Sequence, residues 1–332
     1  MLRYYAWPIA EQVLARLPLG HALYRWLGAR KHRAARTRIL PSSLRLVERS
    51  RRLKPHGGHA LDVGTAWYHR DAFLLYLVGD WRVTLFDVED KATLGSIRSY
   101  VQTLVAEAES VAPAVGKTPE YVREQLAPLL RLTTRHALYE ACRFTPAITR
   151  ATDRPMTAEG SVDLIVSNCV LNHIRLPILE PELRALAQTL KPDGVMNVLI
   201  GHDDHWSFHD PSMRMFEYYR FSDRLYRVVF ETPFEFQNRM VWPEWQDLLE
   251  RAGIHVLDHD PYVTPESRRA IASLPTICAR FIGVPLEQLA IIHSYVTLAR
   301  ACTTSLGAPG RALGVKMGAR PDGSAPSKTT AL

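Results

Sequence analysis

From Gly201 to Asp210 the chain reads Gly-His-Asp-Asp-His-Trp-Ser-Phe-His-Asp, which sets three histidines and three aspartates within ten residues. Histidine titrates near neutral pH and a carboxylate can orient its ring, so such a cluster suits removal of a proton from a hydroxyl. His205 and His209, with Asp204 or Asp210, can form the pair. His205 is expected to be the base, because it directly follows Asp204 and lies nearest the strand before the cluster. A divalent metal bound by the same side chains is the rival, but no established ligand spacing supports it. The expectation is a site without metal. A loop whose acids and histidines only satisfy each other is the bland alternative.

The cluster must be held by what precedes it. Leu183, Leu186, Ala187 and Leu190 share one side of a helix, Lys191-Pro-Asp-Gly194 is a turn, and Val195 to Ile200 is a strand. The cluster therefore leaves the carboxyl end of a strand, which is the rim where open α/β sheets bind ligands. A second strand, Val162 to Val166, ends at Ser167-Asn168, and His173 follows near the start of a helical segment. For His173 a structural place in the wall and a catalytic place weigh evenly.

A cofactor site is expected where Ala60-Leu-Asp-Val63 runs into a loop at Gly64 and Val83 to Asp87 forms the next strand. Asp87 lies 23 residues after Gly64, close to the strand–helix–strand spacing of a nucleotide site, about 20. A loop glycine lets backbone approach a ligand, and an acid at the next strand end can accept from ribose hydroxyls. The loop has no further glycine before Gly79, so it lacks a pyrophosphate cradle. Asp62 would repel phosphate yet suit an ammonium or sulfonium. The cofactor expected is S-adenosylmethionine, with Asp62, Gly64, Thr65, Ala66 and Trp67 on its methionine side and Asp87 on its ribose.

From about Ala60 to Arg300 the chain resembles class I S-adenosylmethionine-dependent methyltransferases. It is most similar to a bacterial branch whose first motif reads Leu-Glu-(Ile/Val)-Gly-Thr-Gly-Trp. Here the motif is Leu61-Asp62-Val63-Gly64-Thr65-Ala66-Trp67, with Ala66 in place of the second glycine. Asp163, Ser167, Asn168, Val170, Leu171, His173 and Ile174 match a later motif, in which Asn172 replaces a glutamate. Asn172 can hydrogen-bond but cannot act as a base. The run from Asp204 to Asp210 matches Asp-His-Tyr-x-His-x-Asp, with Trp206 for the tyrosine, and Arg220-Phe-Ser222 and Asn238-Arg-Met240 follow in order.

The resemblance implies an α/β fold with a Rossmann-like seven-stranded mixed sheet and helices on both faces. It also implies cofactor contacts from Val88, Ser167 and Asn168, and O-methylation of a small-molecule or glycan acceptor. A degenerate cofactor-binding protein without turnover is the alternative, motivated by Ala66 and Asn172. An RNA methyltransferase is a third reading, but no Asn-Pro-Pro-aromatic motif is present and nucleic acid is not the expected partner.

Charge divides the chain. Residues 1–58 hold thirteen basic residues against Glu11 and Glu48, a net +11, and the rest sums to −4. Residues 1–57 are expected to be a basic helical segment, 58–302 the methyltransferase domain, and 303–332 a disordered tail rich in Gly, Pro, Ser and Thr. In the first segment Val13, Leu14 and Leu17, then Leu23, Trp26 and Leu27, form apolar sides, and a third helix is expected from Ser42 or Ser43. The simplest reading is a lid packed on the domain with a solvated basic face, and peripheral contact with anionic lipid is the next.

Residues 91–135 are expected to be a helical insertion over the cleft, with Thr118 capping a helix before Pro119. The third strand is placed at Tyr139 to Phe144, the sixth at Ile254 to Leu257 and the seventh within Ala290 to Ala299. Cys142, Cys169, Cys278 and Cys302 form no Cys-x-x-Cys pair, which suits a reduced, cytoplasmic protein without zinc.

Overall fold

Strand β1 (Gly58–Val63) turns Ala60 toward one apolar cluster and Leu61 and Val63 toward another, and all three are buried. Burial on both faces marks a central strand covered by helices on each side. The structure is a computed structural model that describes residues 2–34, 38–150, 152–153, 156–210 and 212–301. The stretch 303–332 lies outside the described residues.

The other strands are β2 (Trp81–Asp87), β3 (Phe144–Ile148), β4 (Val162–Asn168), β5 (Leu190–Gly201), β6 (Ile254–Val263) and β7 (Ile291–Arg300). They form one seven-stranded sheet in the order β3-β2-β1-β4-β5-β7-β6. Strands β3, β2, β1, β4 and β5 run parallel, and β7 is antiparallel to both β5 and β6. This is the Rossmann-like mixed sheet that was expected. The order reverses between β1 and β4, which opens a crevice beyond their carboxyl ends.

One face is covered by α3 (Pro41–Leu53), α4 (Arg70–Val78), α5 (Leu94–Ala106), α6 (Ala108–Val115), α7 (Pro119–Leu126) and α8 (Arg135–Cys142). The opposite face is covered by α9 (Leu176–Thr189) and α11 (Trp242–Arg251), which bury Leu183, Leu186, Trp245 and Leu249. A third cluster, largely aromatic, gathers Tyr4, Trp206, Phe216, Tyr218 and Phe230. It joins α1 (Leu2–Arg16), the chain after β5 and α10 (Asp223–Val229).

Several elements differ from expectation. Tyr139 to Cys142 end α8, and the third strand starts only at Phe144. Pro146 is tolerated there because β3 is the edge strand and pairs only with β2. Helix α3 starts with Pro41 after Leu40, not at a serine cap, and the buried Ser43 instead accepts a hydrogen bond from Asn168 Nδ2 at 2.8 Å. The insertion is three helices, with Thr118 capping α7 as expected and Pro128 in the 3₁₀ turn that follows.

The largest correction concerns α1 and α2 (Gly20–Ala34), which form a hairpin. A Cβ at Gly20 would lie 1.6 Å from the Leu14 carbonyl oxygen, so only glycine permits this turn. Val13, Leu17, Leu23, Trp26 and Leu27, expected to face the domain, are 44–54% exposed. Helix α1 turns the other way and buries Tyr4, Pro8 and Glu11. Polar anchors set this orientation: the Tyr4 hydroxyl donates to Asp204, and Thr232 donates to Glu11.

Candidate active site

The crevice is lined by the loop after β1 and the loop after β4. Gly64 has φ +79°, and a Cβ there would lie 2.3 Å from Val170 Cγ2. The glycine is what lets the two loops meet. Ala66 also has positive φ, +47°, at the position where the resembling family has its second glycine. Its N–H donates to Asp87 Oδ2 at 2.9 Å, while Asp87 Oδ1 accepts from the Glu89 N–H at 3.2 Å. The loop is thereby tied to the end of β2. A cleft of about 280 Å³ opens beside it, lined by Thr65, Ala66, Glu89, Asp90, Tyr139 and Ile148 among others. Val88, just past the end of β2, is exposed.

Asp62 does not stand at the rim. It points under α4, buried, and accepts from the Ala72 N–H at 3.2 Å. Burial, and then the nearby Asp71, push the Asp62 carboxyl well above the ordinary range. Asp71 is raised too, chiefly by burial, and accepts from Asn168 Nδ2 at 3.4 Å. Trp67 packs toward α2, where a Cβ on Gly28 would touch its ring at 3.7 Å. Ser167 Oγ and both amide atoms of Asn172 are buried without a hydrogen-bond partner in the protein. Unpaired buried polar atoms are costly, and a ligand or water that reached them would offset that cost.

Beyond β4 and β5 the structure assembles a second group. The His173 and His205 rings lie 4.8 Å apart, centroid to centroid. Glu235 Oε1 lies 3.2 Å from His205 Nδ1 and 3.7 Å from His173 Nδ1. His173 Nδ1 lies 2.8 Å from the Phe236 carbonyl, so its N–H donates there. The Gln237 amide oxygen accepts the His205 backbone N–H at 3.2 Å. Burial disfavours the His205 imidazolium, yet the hydrogen bond to Glu235 and the charges of Glu235, Asp203 and Asp204 outweigh it, and its pKa is raised. The side chain of His173 is 37% exposed; the protein packed around it, and then the neighbouring His205, lower its pKa.

With Nδ1–H donated to the carboxylate, Nε2 of His205 is the nitrogen able to take a proton. The ligand atoms of His173, His205 and Glu235 also fall within 4.8 Å of one another, so these three could hold a cation.

Asp204 is not the partner of His205. As the N-cap of the 3₁₀ turn His205–His209 it points into the aromatic cluster. There it accepts from Tyr4 Oη at 2.6 Å, the Trp206 N–H at 3.0 Å and the Tyr218 N–H at 3.0 Å. Successive residues at a cap diverge, so adjacency in sequence did not mean adjacency of side chains. Asp210 accepts from the Ser212 N–H at 3.1 Å and from the Ser212 hydroxyl at 2.6 Å. His209 stacks on Trp7 of α1 at 5.0 Å, to one side of the His173–His205 pair.

Glu235 was missed by the sequence reading, because a lone acid between two phenylalanines carries no periodic or motif signal. The nearby Asn238-Arg239 was the one available clue. Asn238 donates from its backbone to the Asn172 carbonyl at 2.8 Å and from its amide to the Leu171 carbonyl at 3.1 Å. Arg239 donates to the carbonyls of Tyr218 and Phe221 at 2.8 and 2.7 Å. Asn238 therefore positions the loop that carries His173, and Arg239 holds the 3₁₀ turn before α10.

No protein-family model matches the chain, and no curated protein matches its sequence. Among solved structures, the mitomycin 7-O-methyltransferase MmcR is 15% identical, with a TM-score of 0.43 over 90% of this chain and 68% of that one. The Burkholderia thailandensis 1,6-didemethyltoxoflavin-N1-methyltransferase, with bound S-adenosylhomocysteine, is 13% identical, with a TM-score of 0.41 over 78% and 79% of the two chains. The [4+2]-cyclase SpnF is 13% identical, with a TM-score of 0.42 over 78% and 81% of the two chains. At this level of likeness no activity is carried over from them.

Proposed function

We propose that the protein is an S-adenosylmethionine-dependent methyltransferase acting on a hydroxyl of a small-molecule or glycan acceptor. The observation that carries the reading is the Glu235–His205 pair beside the switch-point crevice. When bound, S-adenosylmethionine supplies an electrophilic methyl on a sulfonium. The residues present fit that cation. Asp62 and Asp71 are two buried carboxylates behind the loop after β1 whose pKa values are raised chiefly by burial, and a positive charge nearby would favour their ionised forms. Gly64 permits close approach of the loop, Asp87 stands at the end of β2 for ribose, and the unpartnered Asn172 amide awaits a polar group.

In this reading His205 Nε2 removes the acceptor proton, Glu235 orients the ring and stabilises the imidazolium, and His173 walls the acceptor side. The test is titration of the protein with S-adenosylmethionine in a calorimeter, followed by incubation of methyl-labelled cofactor with acceptor fractions. Asp87→Ala should weaken binding by about tenfold or more, since a hydrogen bond to a charged acceptor is worth about 1.5–3 kcal/mol. Binding without transfer to any fraction would favour the degenerate reading.

One observation favours a second reading, because two imidazoles and a carboxylate converge. A divalent ion there would lower the acceptor pKa in place of a base. Metal analysis of the purified protein and turnover after chelation separate the two. Unchanged turnover in chelator supports the base.

A further inference from the structure

We propose that the α1–α2 hairpin is a docking surface for an anionic lipid bilayer. Ile9 and Val13 on α1, Leu17 and Leu19 in the turn, and Leu23 and Leu27 on α2 are each 44–77% exposed. Ile9 and Val13 are four residues apart, as are Leu23 and Leu27, so each pair shares one side of its helix. Single exposed apolar side chains are ordinary, but a run of them along two helices and their turn marks an interaction surface. The protein's own domain does not cover this side, because α1 buries Tyr4, Pro8 and Glu11 against it instead.

Charge selects the occupant. Residues 1–34 carry Arg3, Arg16, Arg25, Arg30, Lys31 and Arg33 against one acid, Glu11. Glu11 is turned inward and accepts from Thr232 Oγ1 at 2.7 Å and from Trp7 Nε1 at 3.1 Å. Arg16 and Arg25 are exposed. A second copy of this surface would bring like charges together, whereas a layer of anionic head groups neutralises them while the apolar side chains enter the acyl boundary. No described helix is long and apolar enough to cross a membrane, so attachment is peripheral. Trp7 stacks on His209, which sets the docked surface beside the loop that carries His205. The docking itself does not depend on methyl transfer.

The test is co-sedimentation of the full chain with vesicles of equal parts phosphatidylglycerol and phosphatidylcholine, and with vesicles of phosphatidylcholine alone. The protein should pellet with the anionic vesicles at low salt, release as salt rises, and stay in solution with the neutral ones. Each basic residue near such a surface is worth about fivefold in affinity, so Arg16→Glu with Arg25→Glu should weaken binding by at least ~25-fold. Leu19→Asp with Leu23→Asp should weaken it by at least ~tenfold, with the circular dichroism of both variants unchanged. Failure to pellet with anionic vesicles overturns the proposal, as does equal pelleting with neutral ones. A dimer seen by light scattering, lost in Leu19→Asp with Leu23→Asp, and no vesicle binding would assign the surface to a second copy instead.

Discussion

Glu235 and His205 stand 3.2 Å apart, carboxylate oxygen to Nδ1, although thirty residues separate them in the chain. The pair leaves Nε2 as the proton acceptor and raises the His205 pKa against the effect of burial. His205→Ala should therefore lower turnover by about 10²–10⁴ while cofactor affinity stays near wild type. If His173→Ala abolishes turnover while His205→Ala keeps it within about threefold, the base is His173.

The pH profile tests Glu235 separately. A base works only when neutral, so turnover should rise with pH through the His205 pKa, with a midpoint above the ordinary 6.5. Glu235→Gln removes the charge that helps hold this pKa up, while its amide oxygen can still accept from Nδ1–H, so the midpoint should move to lower pH as maximal turnover falls. A midpoint that does not move would show that Glu235 leaves His205 untuned.

Asp204 is expected to matter for stability rather than for proton transfer. Asp204→Ala strands three donors, from Tyr4, Trp206 and Tyr218, in a buried aromatic cluster. Each such loss costs about 1–3 kcal/mol, so thermal unfolding should show a destabilisation of ~3–5 kcal/mol. Burial also pushes this carboxyl up to about 7 from 3.8. Across that interval the folded protein holds a proton that the unfolded chain has released, so the contribution of Asp204 turns against stability as pH rises. A variant of undiminished stability that loses turnover a hundredfold would return Asp204 to the chemistry.

Asn172 separates ligand binding from folding. Its amide atoms are buried and unpaired, so Asn172→Leu removes a cost to the ligand-free protein and should leave its melting temperature equal or higher. The same change should shrink the rise in melting temperature that S-adenosylmethionine produces. An unaltered rise would place the ligand elsewhere.

Ala66 offers a gain. An L-residue in the left-handed region costs roughly 1–2 kcal/mol, partly offset by the greater chain entropy of glycine when unfolded. Ala66→Gly should stabilise the protein by up to ~1 kcal/mol in denaturant unfolding, and the loop should bind cofactor more tightly. A clear destabilisation would mean that the alanine methyl packs usefully in the cleft.

The local signals were legible because they depend on neighbours in the chain. The apolar run Ala60 to Val63, the glycine at 64, the cap at Thr118 and the turn at Lys191 to Gly194 each express backbone sterics or a short period. Together with the motif order they led to a seven-stranded sheet with its cleft beyond β1 and β4. The antiparallel pairing of β7 with β5 and β6 makes the sheet mixed, in agreement with that expectation.

Only the tertiary structure decided which side of an element faces inward and which distant residues meet. Helix α1 has two plausible inner sides, and apolar periodicity favours Val13 and Leu17. The buried bonds of Tyr4 to Asp204 and Glu11 to Thr232 select the other. His205 could be read as a base from its own chemistry, but not the acid that serves it. Asp204 is adjacent yet spent on backbone caps, whereas Glu235 arrives through a fold-back after α10. Side-chain period is a property of a segment. The meeting of two segments is set by the packing of everything between them.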